Sequence, residues 1–275
     1  MKQTNVILVV NPNAGNERSR RKIADLLNAL QEEGISVQMI QALDAESACR
    51  QITELVGKGT DWLITAGGDG TVHWTVNCIM ALSDDIRSQL KYAHYPLGTG
   101  NDWGRTYKIP HNAANWTNGF LRGKMSMQDL GWVEWQTLQG TLERRYFANV
   151  AGMGFDGLVA KVVATESKGN KHVLVYLQAA LKWLFIYKKP YLKIQTEDLQ
   201  WEGKALTVNI GVCVYSGGAM KIVPHALPDD GLLAMTIVGN YSPYEVVVHI
   251  AKLFNGKIGR LKKVVLTQNK SIRVE

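Results

Sequence analysis

Three short apolar runs in the N-terminal part of the chain each stop at a polar turn that carries glycine. Val6 to Val10 leads into Asn11-Pro12-Asn13-Ala14-Gly15, Trp62 to Thr65 into Gly67-Gly68-Asp69-Gly70-Thr71, and Tyr92 to Leu97 into Gly98-Thr99-Gly100-Asn101-Asp102. Continuous apolar runs bounded by turn residues are strands covered on both faces. Between them lie stripes at helical spacing: Ile23, Leu26, Leu27 and Leu30 stopped by Gly34, then Ala48, Ile52, Leu55 and Val56 stopped by Gly57 and Gly59, then Val72, Val76, Ile79 and Met80. Ser36 to Ile40 adds one more strand. This alternation predicts a doubly wound α/β sheet, and loops that follow its strands gather at one edge, where such sheets bind ligands.

From about Gly131 the pattern changes. Leu206, Val208, Ile210, Val212 and Val214 alternate with smaller or polar residues, as in a half-buried antiparallel strand. Leu232 to Val238 reads as another strand. Ser242, Pro243 and Glu245 read as N-cap, first helical residue and capping-box partner of a helix carrying Val246, Val247, Ile250 and Phe254. We therefore expect an α/β domain over residues 1–130 and a β-rich, sandwich-type domain over 131–275. Val173 to Tyr187 is the most apolar stretch, too short to span a bilayer; it suits a helix packed on the β domain or a surface that meets lipid.

The glycine turns carry the chemistry. In Gly67 to Thr71, Gly67, Gly68 and Gly70 let backbone N–H groups approach an anion, and a helix start adds its dipole. Asp69 among those amides would repel phosphate by itself, so it points to a magnesium ion or a hydroxyl to orient. Thr71 can donate to a phosphate oxygen. An isolated Gly-Gly-Asp-Gly could equally be a tight turn with Asp69 as N-cap, but Gly98 to Asp102 brings Thr99, Asn101 and Asp102 to the same edge. Neither loop has the lysine and hydroxyl of a P-loop. Gly152 to Gly157 fits the spacing of a dinucleotide fingerprint, yet it falls after the α/β pattern and lacks the acidic residue that should follow.

These residues resemble the diacylglycerol kinase catalytic domain family, of the soluble bacterial lipid kinase type, related to sphingosine kinases and more distantly to NAD kinases. The likeness runs through Asn11 to Gly15, Gly67 to Thr71, Pro96 to Asp102, Gly152 to Asp156, and Ser216-Gly217-Gly218 through Pro224 to Leu232. It implies an ATP-dependent kinase with an α/β nucleotide-binding domain and a β-sandwich, a lipid headgroup entering the cleft, and ATP and Mg2+ as cofactors. Nucleotide contacts would then come from Asn11, Gly15, Gly67, Gly68, Gly70, Thr71, Gly98, Thr99, Gly100, Asn101 and Asp102, with Asp69 catalytic. A structural magnesium would sit on Asp230 with main-chain oxygens near Leu227 and Leu232. Relatives follow the Gly-Asp-Gly-Thr loop with asparagine and glutamate, where this chain has His73 and Trp74; His73 reads as helix surface. Relatives usually carry a late Asp-Gly-Glu, which includes the proposed base; here the chain ends at Glu275 within a strand pattern, so we expect either omission of a C-terminal segment, the favoured reading, or a protein that lacks the usual base.

Composition narrows the alternatives. The net charge of +7 over 275 residues suits anionic phosphates or an anionic membrane surface. No recognition helix or ordered aromatic and basic spacing marks nucleic acid as a partner. Cys49, Cys78 and Cys213 are far apart and without metal-ligand spacing, so buried reduced thiols are expected. Met1 and Lys2 lead straight into an apolar run too short for a signal, so a cytoplasmic start is expected. Lys252, Lys257, Arg260, Lys262 and Lys263 suggest reversible, peripheral membrane contact; a homodimer is left open. The rival readings are an NAD kinase-like phosphotransferase and a nucleotide-binding regulatory protein without turnover.

Overall fold

The computed structural model describes residues 4–10, 17–41, 44–166 and 181–275. The chain divides into two compact units, Met1–Ser126 with Trp132–Phe147, and Met127–Gly131 with Ala148–Glu275.

The first unit is built on β1 (Asn5–Val10), β2 (Ser36–Gln41), β3 (Trp62–Gly67) and β4 (Lys91–Pro96), paired in parallel in the order β2-β1-β3-β4. Helices α1 (Glu17–Glu32), α2 (Ala45–Val56), α3 (Asp69–Met80), α4 (Asp84–Gln89), α5 (Asp102–Thr106) and α6 (Ala113–Arg122) connect and cover it. The period of two in β1 sorts its side chains between two cores. Val6, Leu8 and Val10 pack with Ile64 and Ala66 against Leu26, Leu30 and Trp116, while Ile7, Val9 and Leu63 pack with Ala48, Ile52 and Val56. Because both faces are covered, β1 and β3 read as unbroken apolar runs. Leu8 is fully buried, and truncating such a residue to alanine costs about 2–5 kcal/mol.

One expectation is overturned in this layer. Cys49 on α2 and Cys78 on α3 form a disulfide, with Cα atoms 5.0 Å apart, and only Cys213 keeps the expected buried thiol, its Sγ donating to the Ala148 carbonyl at 3.4 Å. The two helices lie side by side on one sheet face, so residues 29 apart in sequence meet. Spacing along the chain does not reveal that.

A hairpin of β5 (Gly131–Gln136) and β6 (Leu142–Phe147) follows. All but Gly131 groups with the first unit, where the sequence pattern placed it in the second. Its anchor is polar: the Asn77 side chain on α3 donates to the carbonyl and accepts from the N–H of Tyr146, each at 2.9 Å.

The second unit contains β7 (Val150–Gly154), α7 (Phe155–Glu166), β8 (Tyr191–Gln195), β9 (Gln200–Lys204), β10 (Thr207–Gly211), β11 (Leu233–Val238), α8 (Pro243–His249), α9 (Ala251–Asn255), β12 (Val264–Asn269) and β13 (Arg273–Val274). Its sheets run β12-β11-β10-β7 and β13-β8-β9. β10 is buried at every position rather than half-buried. It is a central strand covered on both faces, so alternation in size stands in for alternation in exposure. The capping box at Ser242 and Glu245 forms as expected, with Pro243 opening α8. Of the apolar stretch Val173 to Tyr187, residues 173–180 lie outside the described residues. Leu184 joins a core with Leu206, Val238, Tyr241 and Ile258, while Phe185 and Ile186 are exposed.

Candidate phosphate and cation site

The carboxyl ends of β3 and β4 bring two glycine loops into backbone contact. The N–H groups of Leu97 and Gly98 donate to the Gly67 carbonyl at 2.8 and 3.1 Å. A Cβ on Gly98 would lie 2.5 Å from the Gly68 Cα, so no larger residue fits there without parting the loops. Gly68 is the N-cap of α3, and its carbonyl accepts from the N–H groups of Thr71 and Val72. The helix start therefore presents the amides of Asp69 and Gly70 with the positive end of its dipole.

The second loop adds oxygens. Asn101 adopts the left-handed conformation (φ 50°, ψ 42°), and its Nδ2 donates to the Gly98 carbonyl at 2.5 Å. Its buried Oδ1 has no hydrogen-bond partner among the described residues. A Cβ on Gly100 would lie 3.0 Å from Asp69 Oδ2 and 3.5 Å from Asp102 Oδ2, so both carboxylates converge on that glycine. Arg105 Nε donates to the Gly100 carbonyl at 2.9 Å and lies 3.7 Å from Asp102 Oδ1. Asp69 and Asn101 thus share one edge.

A network beneath the loops fixes Asp69. Its Oδ1 accepts from the Trp103 N–H at 3.0 Å. The Trp103 ring meets Tyr92 and His94 edge-on, with centroids 5.7 Å apart in each pair. Thr65 Oγ1 joins the Tyr92 hydroxyl at 2.7 Å and His94 Nδ1 at 3.0 Å. Burial pushes His94 down to about 4 and raises Tyr92, so both are neutral near pH 7. The network positions Trp103 without adding charge. The sequence reading missed it, although Tyr92 and His94, two apart on a strand, were the visible sign of a polar patch on one face.

The other expected residues fall as follows. Thr99 and Gly70 are exposed at the loop tips. Thr71 is buried, with its side chain packed against the Gly67 Cα. His73 is exposed, as expected of helix surface. Asn11 and Gly15 lie outside the described residues.

In the second unit, Asp230 sits on a turn with Gly231 at φ +74°. Its Oδ1 accepts from the Leu232 N–H at 3.0 Å and its Oδ2 from Gln268 Nε2 at 2.9 Å. Leu227 is exposed. The turn also holds Asp129, which the sequence did not single out: its Oδ2 accepts from the Gly231 N–H, and its own N–H donates to the Pro228 carbonyl, both at 2.7 Å. Among the described residues no three His, Cys, Asp or Glu side chains cluster as metal ligands. At both places the donors are oxygens only, and at the glycine loops one of them, Asn101 Oδ1, is an orphaned buried acceptor. That donor chemistry fits a hard, largely hydrated cation such as magnesium.

The family model described as the diacylglycerol kinase catalytic domain matches residues 5–133, and the one described as the YegS C-terminal NAD kinase beta sandwich-like domain matches residues 149–275. A Staphylococcus aureus (strain bovine RF122 / ET3-1) protein named diacylglycerol kinase is 26 % identical over 267 residues, covering 97 % of this chain and 81 % of its own length. A Yersinia pestis (strain Pestoides F) protein named "Probable lipid kinase YegS-like" is 26 % identical over 251 residues, covering 91 % of this chain and 80 % of its own. The crystal structure of a diacylglycerol kinase from Bacillus anthracis str. Sterne matches with a TM-score of 0.72 at 23 % identity, over 100 % of this chain and 87 % of the other, and carries the fold.

Proposed function

We start from a chain that belongs to the diacylglycerol kinase and YegS-like family of lipid kinases, and propose that it transfers the γ-phosphate of ATP to the hydroxyl of a diacylglycerol-like lipid. The observation that carries this reading is the meeting of the two glycine loops, Gly68 against Gly98, with the carboxylates of Asp69 and Asp102 beside Gly100 and the first amides of α3 in the same loop. Amides at the start of α3 would hold phosphate oxygens, with Gly98 leaving room for their approach. Asn11 and Gly15 are assigned to the same nucleotide by resemblance. Asp69, fixed through the Trp103 N–H, would orient the attacking hydroxyl by accepting its hydrogen bond at Oδ2.

Alternatively Asp69 Oδ2 would serve the cation, holding magnesium with Asp102 and Asn101 Oδ1; magnesium, when bound, would neutralise charge on the phosphate oxygens. A second, structural ion is assigned to Asp230 with main-chain oxygens near Leu227 and Leu232, and Asp129 is the added carboxylate there.

A lipid acceptor calls for contact with a membrane. Supporting it, Phe185, Ile186, Tyr244 and Val248 are exposed, and the Phe185 and Tyr244 rings lie 5.6 Å apart, so their apolar surface is continuous. Tyr244, Val248 and Lys252 follow at helical spacing, which places a cation at the rim. Such a surface suits shallow, salt-sensitive docking on anionic lipid. No helix among the described residues is long and apolar enough to cross a membrane.

The activity is tested by incubating the chain with γ-labelled ATP and, in parallel, diacylglycerol, phosphatidylglycerol, a sphingoid base and NAD. The reading expects label in a lipid. Label only in NAD would favour an NAD kinase-like enzyme, and ATP binding with no labelled product would favour a regulatory protein.

A further inference from the structure

The second unit contains a polar recess for which the phosphate chemistry has no use. Gly152 pairs with Asn209 and Gly154 with Thr207 across β7 and β10, and Thr236 on β11 stands opposite Asn209. Opposed residues share a sheet face, so one face carries Thr207, Asn209 and Thr236 where the other carries Val208, Ile210, Met235 and Ile237. The three polar residues are at most 5 % exposed. Asn209 Nδ2 donates to Thr207 Oγ1, and Thr207 Oγ1 donates to the Met153 carbonyl, both at 3.1 Å. Asn209 Oδ1 has no partner among the described residues, although it is buried.

The chain leaves β7 through Gly154 at φ +88°, which swings the start of α7 back over the strand. Asp156 arrives above Gly152. A Cβ on Gly152 would lie 3.0 Å from Asn209 Oδ1 and 3.0 Å from Asp156 Oδ2. Gly152 is itself exposed, and on this face its Cα is closed in by the Asp156 Cβ together with a carboxylate oxygen and an amide oxygen. Asn209 also hydrogen-bonds Asp156, and burial lifts the carboxyl to about 6, which leaves it ionised above neutral pH.

The chemistry of the recess limits what enters. A phosphate would be repelled by Asp156. A divalent cation wants about six oxygens and several of them charged, more than one carboxylate and one amide provide. Neutral or cationic groups with hydrogen-bond donors remain, and these match two acceptors side by side. We propose that Asp156 Oδ2 and Asn209 Oδ1, above Gly152, form a headgroup subsite that accepts hydrogen bonds from a donor-bearing lipid alcohol, a diol or an amino alcohol. The inference rests on the lipid-kinase reading and makes these residues determinants of which alcohol is phosphorylated.

The test measures acceptor and ATP KM in mixed micelles for wild type, Asp156→Asn and Gly152→Ala, with diacylglycerol, phosphatidylglycerol and a sphingoid base as separate arms. Asp156→Asn keeps the shape and loses the charged acceptor; Gly152→Ala presses a methyl against both acceptor oxygens. Both should raise KM for the preferred acceptor about 10- to 100-fold while ATP KM stays within about twofold. The phosphatidylglycerol and sphingoid arms separate a diol from an amino alcohol. Acceptor KM unchanged in both variants, or an ATP KM that rises in step, overturns the proposal; an ordered water in the recess predicts the former. Should the wild type phosphorylate no lipid, the activity reading fails separately, and the Asn209 side-chain amide resonances decide the subsite: no shift on titration with dioctanoylglycerol or sphingoid micelles overturns it.

Discussion

Asp69 and Asp156 stand at the same kind of junction, one in each unit: a strand ends, glycines follow, and a helix starts with the aspartate in its first turn. Their surroundings are opposite. Asp69 is set among backbones, the Trp103 N–H and the glycines of a neighbouring parallel loop, the arrangement we propose for phosphate and a cation. Asp156 is set among side chains of an antiparallel neighbour, Thr207 and Asn209, and burial moves its carboxyl upward. The same local order of residues therefore gives two different settings, because the partner strand decides which atoms face the carboxylate.

Substitutions can break that comparison, beginning with the largest expected effect. Asp69→Asn should lower phosphate transfer about 10²- to 10⁴-fold with an unchanged melting temperature, checked by labelled-lipid assay and calorimetry; near-normal turnover would remove Asp69 from the chemistry. Gly98→Ala forces a methyl against the Gly68 backbone, and we expect ATP affinity to fall about tenfold with a loss of about 1–3 kcal/mol of stability, read by ATP titration and urea unfolding.

Asp156→Asn sharpens the contrast through pH. The native carboxyl titrates near 6 and the unfolded one near 3.8, so the native state holds the extra proton between these values. Its stability is then greatest below the lower value and falls as pH rises through the upper one. The variant should lack this slope and be more stable than wild type at pH 8 by on the order of 1–3 kcal/mol, measured by urea unfolding across pH. A slope retained in the variant would assign it elsewhere. Smaller still, Val248→Glu should roughly halve co-sedimentation with anionic vesicles at low salt, leaving neutral vesicles unaffected.

Much of this was visible in the residues. Val6 to Val10, Ser36 to Ile40, Trp62 to Thr65 and Tyr92 to Leu97 announced β1 to β4 because parallel strands buried on both faces need continuous apolar runs. Ser242, Pro243 and Glu245 announced α8 because capping is local chemistry. What stayed hidden depends on distant partners. The Cys49–Cys78 link needs α2 and α3 on one sheet face, Asp129 meets the Asp230 turn only after folding, and the polar row of Thr207, Asn209 and Thr236 needs the register of β10 and β11. Thr71 reads from its motif as a donor to phosphate, while its close packing against Gly67 depends on how the loop folds.

The most direct test of the account follows the backbone amides of Gly68, Gly70, Gly98 and Gly100 by NMR while magnesium-ATP is added, with AMP as the comparison. ATP is expected to shift these four together and AMP to leave them nearly unmoved, the polyphosphate being the proposed occupant. Shifts confined to other residues, or equal responses to ATP and AMP, would contradict it.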